Sequence, residues 1–156
     1  TGGASITAAK AGGDVFHVDS SKSVINWASN NADFNGIENI HWVREDALKF
    51  AKREEKRGRK YKCIIMDPPI YGRGAKGEHW KLENLLPELI STTSNLLDKK
   101  GFLILNTYSP AVSIADMENL CRNYGLKGIK SGWLSVKTIS GRKLELSKYI
   151  IAENHS

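Results

Sequence analysis

The sequence predicts an α/β fold in which a mostly parallel sheet is covered by helices on both faces and is closed by a C-terminal antiparallel hairpin. Short apolar runs of strand length alternate with helical patterns along most of the chain. Several of these runs end at an acidic residue, and open parallel sheets place their ligands at the carboxyl ends of the strands. The final part of the chain contains two β-rich runs joined by Ser140-Gly141-Arg142, which is typical of a hairpin.

Size and composition predict one untargeted cytoplasmic domain over residues 1–156. The chain has 156 residues, of which 40% are hydrophobic, enough for one core and too few for two ordinary domains. No apolar run approaches the roughly 20 residues that span a bilayer, and no basic segment precedes an apolar leader. The two cysteines, Cys63 and Cys121, are too few for a zinc site or a disulfide framework. We therefore expect no metal, and we predict both thiols to be reduced core residues.

The net charge of +6 permits a polyanionic partner without establishing one. Many basic residues fall between positions 49 and 62, in a run that also contains Glu54 and Glu55. A solvated helix face is the simpler interpretation of this run, and a nucleic-acid surface is the alternative. Arg73 and Lys76 carry more weight because they directly follow an acidic turn at Asp67.

The chain begins with a predicted helix, a strand and a second helix. Thr1-Gly2-Gly3-Ala4-Ser5 leads into a small-residue helical pattern that ends at Gly12-Gly13, and glycines at a helix start let a ligand approach the backbone. Residues 14–19 alternate apolar and polar side chains and end at Asp19, which predicts a strand. Ser20 or Ser21 is placed to cap the next helix. The buried side of that helix is predicted to comprise Val24, Ile25, Trp27, Ala28 and Ala32.

Asp19 is the first candidate binding residue. It follows Gly3 by 16 positions, close to the spacing at which dinucleotide-binding folds place the acid that binds ribose hydroxyls. The alternative is an aspartate that caps a helix or a turn.

The middle of the chain continues the alternation of strands and helices. Strands are predicted at 39–43, 61–66 and 101–108, and the first of them is followed by Glu45 and Asp46. The helix after Asp46 is predicted to turn Ala47, Leu48, Phe50 and Ala51 inward. A helix at 82–97 contains Pro87, which predicts a kink or a break. Further elements are predicted as a helix at 114–124 and hairpin strands at 128–138 and 143–151.

The strongest site candidate is the acidic turn Asp67-Pro68-Pro69-Ile70-Tyr71-Gly72-Arg73-Gly74. Neither proline can donate to a β-ladder, and Pro68 keeps Asp67 out of the helical region, so the strand ends with its carboxylate at the sheet edge. Tyr71 adds a flat face, and an acid beside a stacking surface suits a planar base. The alternative is that Asp67 caps an ordinary turn while Tyr71 covers an edge of the core.

Four segments in order resemble the class I S-adenosylmethionine-dependent methyltransferases, and more narrowly the bacterial large-subunit rRNA methyltransferase-like family. Members of that family carry a Thr-Gly-Gly-Ala-Ser turn, a His-Val-Asp-x-Ser strand end, an Asp-Ala-Leu-Lys-Phe segment and an Asp-Pro-Pro-x-(Phe/Tyr)-Gly-Arg-Gly turn. The corresponding segments here are Thr1 to Ser5, His17 to Ser21, Asp46 to Phe50, and Asp67 to Gly74. The resemblance covers essentially the whole chain and implies a Rossmann-like fold.

The resemblance implies S-adenosyl-L-methionine as the cofactor and assigns roles to two groups of residues. The cofactor group comprises Gly2 and Gly3 at the methionine end, Asp19 and Ser20 at the ribose, and Asp46 and Ala47 at the adenine. The group facing the methyl acceptor comprises Asp67, Pro68, Pro69 and Tyr71. Methyl transfer itself requires little from the protein beyond alignment of the nucleophile with the methyl group.

One departure from the family bears on the mechanism. Relatives that methylate cytosine at carbon 5 use a cysteine nucleophile at the end of the fifth strand, where this sequence reads Leu105-Asn106-Thr107-Tyr108-Ser109-Pro110. We therefore expect methylation of a ring or exocyclic nitrogen without a cysteine nucleophile. Asp67 and the Pro68 carbonyl would accept hydrogen bonds from a base amine while Tyr71 stacks on an extruded base. In the nearest amine-methylating pattern the aromatic residue directly follows the second proline, whereas here Ile70 intervenes.

The resemblance also implies a central first strand that this sequence does not contain. We expect a longer protein with an RNA-binding or targeting domain upstream, and RNA, ribosomal RNA above all, as the partner. Two alternatives remain open, namely a methyltransferase acting on a small molecule or protein, and a non-catalytic nucleic-acid-binding module with the same fold. A nicotinamide dehydrogenase is disfavoured because the glycine turn lacks a full GxGxxG pattern.

Overall fold

The computed structural model describes residues 1–73 and 79–155. Its residues group into two compact units, Thr1–Arg53 and Glu54–Ser156. The first part of the chain forms α1 (Gly3–Lys10), β1 (Val15–Asp19), α2 (Lys22–Phe34), β2 (Ile40–Arg44) and α3 (Ala47–Lys56). The second part forms β3 (Tyr61–Met66), β4 (Tyr71–Arg73), β5 (His79–Lys81), α4 (Leu82–Leu96), β6 (Leu97–Thr107), α5 (Ile114–Asn123), β7 (Lys127–Lys137) and β8 (Lys143–Glu153).

The first unit is built on a parallel pair of strands. β1 and β2 pair in register from Val15 opposite Ile40 to Asp19 opposite Arg44, so their carboxyl ends lie at the same edge. The crossover between them is α2, as parallel pairing requires. The Val24 N–H donates to the Ser21 hydroxyl over 3.4 Å, which confirms Ser21 as the cap of α2. The small core of the unit comprises Ile6, Ala9, Ala32 and Ile40, with Val15, Ile37 and Trp42 packed against it.

The predicted buried faces of α2 and α3 are confirmed at Ala28, Ala32, Phe50 and Ala51 and wrong at two other positions. Ala28 and Ala32 are buried, but Trp27 is 56% exposed. A Cβ atom added to Gly2 would lie 2.9 Å from the Cβ of Ala28, so only small side chains fit along this face of α2. Ala47 is also exposed, because it is the first residue of α3, just past the sheet edge.

The second unit contains a four-stranded mixed sheet with the order β3-β6-β8-β7. β3 and β6 are parallel, whereas β8 is antiparallel to both β6 and β7. This arrangement confirms the predicted α/β fold with parallel strands and a closing antiparallel hairpin. A separate antiparallel pair, β4 and β5, was not predicted. The largest fully buried side chains include Leu82, Leu86, Ile90, Leu103, Leu105, Met117 and Ile150.

The structure decides part of two expectations for the second unit. α4 continues through Pro87, with the buried side chains Leu82, Leu86 and Ile90 on both sides of the proline, so of the kink or break predicted there the break is excluded. Cys121 is buried as predicted, but Cys63 is exposed. Among the described strands β3 pairs only with β6, so Cys63 has a neighbouring strand on one side alone.

Within the described residues, no helix has the length and apolar character needed to cross a membrane. The central first strand and the single domain over residues 1–156 stay predictions.

Candidate functional site

The start of α1 has the properties of a ligand-binding helix terminus. Gly2 is the N-cap residue and has φ 78° and ψ 6°, a left-handed conformation that favours glycine. No side chain of the described residues caps this helix, so the N–H groups of its first turn remain available to solvent or a ligand. A Cβ atom added to Gly3 would meet no described protein atom within 4 Å. Conformation and packing therefore require glycine at position 2, whereas position 3 borders open space.

One carboxylate oxygen of Asp19 accepts a hydrogen bond within the local turn, and the other makes no such bond in the described part of the chain. Its Oδ1 accepts a hydrogen bond from the Ser21 N–H over 2.7 Å, and its carbonyl accepts one from the Glu45 N–H over 3.1 Å. No residue in the described part of the chain hydrogen-bonds to Oδ2 of Asp19. The capping role considered from the sequence and the ribose-binding role are thus compatible in one side chain. Ser20, next to it, is exposed.

Asp46 caps α3 at the same sheet edge. Its Oδ1 accepts a hydrogen bond from the Lys49 N–H over 2.9 Å, and its carbonyl accepts one from the Phe50 N–H over 2.9 Å. Because β1 and β2 are parallel and in register, their carboxyl ends place Asp19 and Asp46 on one edge of the first unit. Both Asp46 and Ala47 are exposed, so a ligand at this edge can reach the carboxylate and the first-turn backbone.

His17 connects the start of α1 to β1, a contact that the sequence analysis did not identify. The Ser5 hydroxyl lies 2.8 Å from Nδ1 of His17, and the imidazole lies 5.1 Å from the Trp42 ring. Burial lowers the pKa of His17, against the opposing effect of the Asp19 charge. A neutral imidazole therefore holds the first turn of α1 beside the strand that ends at Asp19.

In the second unit, Asp67 is joined to a residue far away in the sequence. The Asn106 Nδ2 donates a hydrogen bond to Asp67 Oδ1 over 2.9 Å. The parallel register that places Met66 opposite Leu105 brings these next residues together at the carboxyl ends of β3 and β6. The Oδ1 atom of Asn106 is buried and has no hydrogen-bond partner among the described residues. In the sequence this segment was noted only as the place of a missing cysteine, and Asn106 had no predicted role.

The rest of the acidic turn is tied to α4. The Ile70 carbonyl accepts a hydrogen bond from the Leu82 N–H over 2.9 Å, and Tyr71 pairs with Lys81 in the β4–β5 ladder. Pro68 is half-buried and Pro69 is exposed. Tyr71 is 68% exposed, so only a small part of its side chain covers the core. Two residues of the sequence-based site, Gly74 and Lys76, lie outside the described residues.

The segment after β6 is held by a buried lysine. The Lys148 Nζ donates hydrogen bonds to the carbonyls of Ser109 and Val112, each over 2.5 Å, and lies 5.5 Å from the centre of the Trp133 ring. The Ser109 N–H also donates to the Thr107 hydroxyl over 3.1 Å. Thr107 and Ser109 are fully buried. The backbone after Asn106 is therefore anchored at several points.

Part of the basic run between residues 49 and 62 makes local contacts. Arg53 pairs with Glu45. Arg57 pairs with the buried Glu54 over 2.9 Å. The Lys60 ammonium donates to the Asn95 carbonyl over 2.6 Å. These contacts favour the structural interpretation of the run for three of its members.

The fold and the pattern of acids at the strand ends define the chain as a class I S-adenosylmethionine-dependent methyltransferase domain, and S-adenosyl-L-methionine is the cofactor of that class. A solved structure described as the SAM-dependent methyltransferase from Agrobacterium tumefaciens superposes with a TM-score of 0.87 and 39% sequence identity. That match covers 96% of this chain and 52% of the Agrobacterium chain. The chain belongs to the family described as RNA cap guanine-N2 methyltransferase, whose model matches residues 1–110.

Curated relatives are similar over shorter stretches. Ribosomal RNA large subunit methyltransferase I of Aeromonas salmonicida is 36% identical over 74 residues, which cover 46% of this chain and 19% of the relative. Ribosomal RNA large subunit methyltransferase K/L of Shewanella frigidimarina is 31% identical over 110 residues, which cover 68% of this chain and 15% of the relative. The matched region is thus less than a fifth of either curated relative.

Proposed function

We propose that this domain methylates a nitrogen of a base in large-subunit ribosomal RNA, using S-adenosyl-L-methionine and no cysteine nucleophile. The observation that carries the proposal is the hydrogen bond between Asn106 and Asp67 at the carboxyl ends of two parallel strands. The names of the relatives support ribosomal RNA as the substrate. The family description names guanine N2, which is an exocyclic amine and supports nitrogen as the acceptor.

The first unit has the groups that the cofactor requires. The amino acid end would lie at the uncapped start of α1, where Gly2 and Gly3 leave the backbone N–H groups accessible to a carboxylate. Asp19, with Ser20 beside it, would accept hydrogen bonds from the ribose hydroxyls through its uncommitted oxygen. Asp46 would accept a hydrogen bond from the adenine amine, with the Ala47 backbone beside the ring.

The second unit has the groups that an amine acceptor requires. The cofactor would supply an activated methyl group, and the protein would align the base nitrogen with it. The Asp67 carboxylate and the Pro68 carbonyl would accept hydrogen bonds from the amine, and Asp67 would also receive the proton that the nitrogen loses. Pro69 shapes the turn, and Tyr71 would contact the base, which has to leave its stack to reach this edge.

The cysteines support a mechanism without a covalent enzyme intermediate. Asn106 lies at the end of β6, where the related cytosine-5 enzymes have their nucleophile. Burial raises the pKa of Cys63, and burial raises the pKa of Cys121 to about 11. A thiolate, not a thiol, is the attacking species, so both residues are protonated and weakly nucleophilic near neutral pH.

The proposal includes a cytoplasmic location and a further RNA-binding domain upstream in the same protein. The greater length of the relatives supports the second point. The sequence left two other functions open, a small-molecule or protein methyltransferase and a non-catalytic nucleic-acid-binding module. The test below distinguishes both from the proposed function.

The test is calorimetric titration of the full-length protein with S-adenosylmethionine and, separately, with NAD. We expect binding of the methyl donor alone, and an affinity about 10- to 100-fold lower in Asp19→Asn, because a charged acceptor of two hydroxyls is lost. Asparagine retains an oxygen for the Ser21 N–H, so the turn is preserved. The matched control is Asp14→Asn, since Asp14 precedes the other end of β1 and pairs with His41 in an exposed position.

Transfer of a tritiated methyl group to protein-free large-subunit rRNA completes the test. Binding of the donor together with labelled rRNA supports the proposal. Binding without labelling of any RNA, protein or small molecule indicates a non-catalytic module, whereas absence of binding contradicts the cofactor site itself.

A further inference from the structure

We infer that Tyr108 provides the stacking surface for the base whose exocyclic amine is bound at Asp67, so that the segment directly after β6 selects the substrate. The inference rests on the proposed function and deepens it. It adds Tyr108, which lies outside the turn at residues 67–74, to the residues assigned to the substrate.

The position of Tyr108 follows from the register of the sheet. Met66 of β3 lies opposite Leu105 of β6, and the next residues, Asp67 and Asn106, are joined by a hydrogen bond of 2.9 Å. Tyr108 follows Asn106 by two positions, whereas Tyr71 follows Asp67 by four and is separated from the prolines by Ile70. Of these two tyrosines, Tyr108 is the closer in sequence to the hydrogen-bonded pair.

Tyr108 is held in place although its side chain is exposed. Its neighbours Thr107 and Ser109 have no exposed surface, while Tyr108 itself is 58% exposed. The carbonyls of Ser109 and Val112 each accept a hydrogen bond from the buried Lys148 ammonium. A side chain on a backbone fixed in this way can stack on a ligand without the cost of ordering the backbone.

The hydrogen-bonding groups of Asn106, two residues before Tyr108, and of its partner Asp67 define the class of base. Asn106 Oδ1 is a buried acceptor that no described residue satisfies, and Asp67 adds a second acceptor at the same edge. Buried acceptors normally have a partner, so a missing donor is expected here. An exocyclic amine has two N–H donors and can serve both oxygens. The site therefore suits a base with an exocyclic amine that stacks on Tyr108.

The first experiment uses the full-length protein and protein-free large-subunit rRNA from cells that lack it. We expect Tyr108→Ala to lower kcat/KM for the RNA by about 10- to 100-fold, because an aromatic stack on the base is lost. Tyr108→Phe retains the ring and should stay within about threefold of the wild type. The affinity for S-adenosylmethionine should not change in either variant. Tyr124→Ala, which alters an exposed tyrosine at the end of α5, is the matched control.

A second readout does not depend on methyl transfer. A single-stranded oligoribonucleotide with one 2-aminopurine is titrated with the protein and S-adenosylhomocysteine, and stacking on Tyr108 should quench the fluorescence. Loss of quenching in Tyr108→Ala, with retention in Tyr108→Phe and Tyr124→Ala, supports the inference even if the wild type labels no rRNA and the proposed function fails. Equal quenching in Tyr108→Ala and the wild type, or kcat/KM of Tyr108→Ala within twofold of the wild type, overturns it.

Discussion

Two sets of candidate residues, a cofactor half in the first unit and a substrate half in the second, are held in different ways. In the first unit, each carboxylate is held by a backbone N–H a few residues further along the chain: Ser21 for Asp19 and Lys49 for Asp46. In the second unit, Asp67 is held by Asn106 across two paired strands. The cofactor half thus combines ligand binding with local capping, whereas the substrate half depends on the correct pairing of β3 with β6. Replacement of Asp19 or Asp46 by a residue without a side-chain oxygen should therefore mix folding and binding effects, whereas substitution of Asp67 should separate them.

The largest expected effect is that of Asp67→Asn. Asparagine has nearly the shape of aspartate but lacks its charge and its ability to take up a proton, so the rate of methyl transfer to rRNA should fall by about 100-fold or more. The affinity for S-adenosylmethionine should stay within about twofold, because Asp67 belongs to the substrate half. Steady-state transfer assays and calorimetric titration of the same preparation measure the two effects.

Asp98→Asn is the control for this prediction. Asp98 lies near the start of β6, and its carboxylate accepts a hydrogen bond only from the N–H of its neighbour Lys99 within the described contacts. If Asp67→Asn and Asp98→Asn have similar transfer rates, Asp67 has no role in the reaction. If Asp67→Asn instead weakens cofactor binding as much as Asp19→Asn does, the division into two halves is wrong.

This division also explains what the sequence could predict. Asp19 and Asp67 were identified because each closes a recognisable apolar run, whereas Asp46 was assigned from the family segment that it begins; the terminal hairpin was identified from its two β-rich runs and their turn. These are local signals.

What the sequence missed depends on contacts between distant residues. The role of Asn106 requires the register of β3 against β6, which no local pattern gives. The exposure of Trp27 and the close approach of Gly2 to Ala28 both depend on what packs against α2, which the helical spacing of its apolar residues cannot show. The short strands β4 and β5 have three residues each, too few to display a strand period.

The second largest expected effect concerns Lys148, whose ammonium group holds the segment after β6 in the second unit. Lys148→Met should retain much of the volume but leave the buried carbonyls of Ser109 and Val112 without their donor. We expect a loss of about 2 to 3 kcal/mol in the free energy of unfolding, measured by urea denaturation. The looser segment around Tyr108 should also raise the KM for RNA while the affinity for S-adenosylmethionine is retained.

Lys130→Met is the matched control, because Lys130 is an exposed lysine on β7. Its stability should change by no more than about 0.5 kcal/mol. Equal stabilities of the Lys148→Met and Lys130→Met proteins would show that the buried ammonium does not hold the segment after β6.

The smallest expected effect is that of Cys63→Ser, which tests whether the substrate half works without a thiol. Cys63 lies on β3 opposite Phe102, four residues before Asp67, and is the exposed cysteine of the two. Since burial raises its pKa, the thiol is protonated at neutral pH, and the thiolate forms only at alkaline pH. The transfer rate of Cys63→Ser should stay within about twofold of the wild type from pH 7 to pH 9. A rate that rises with thiolate formation in the wild type and is lost in Cys63→Ser, at unchanged stability and cofactor affinity, would instead assign the nucleophile to Cys63 and remove the case for direct methylation of nitrogen.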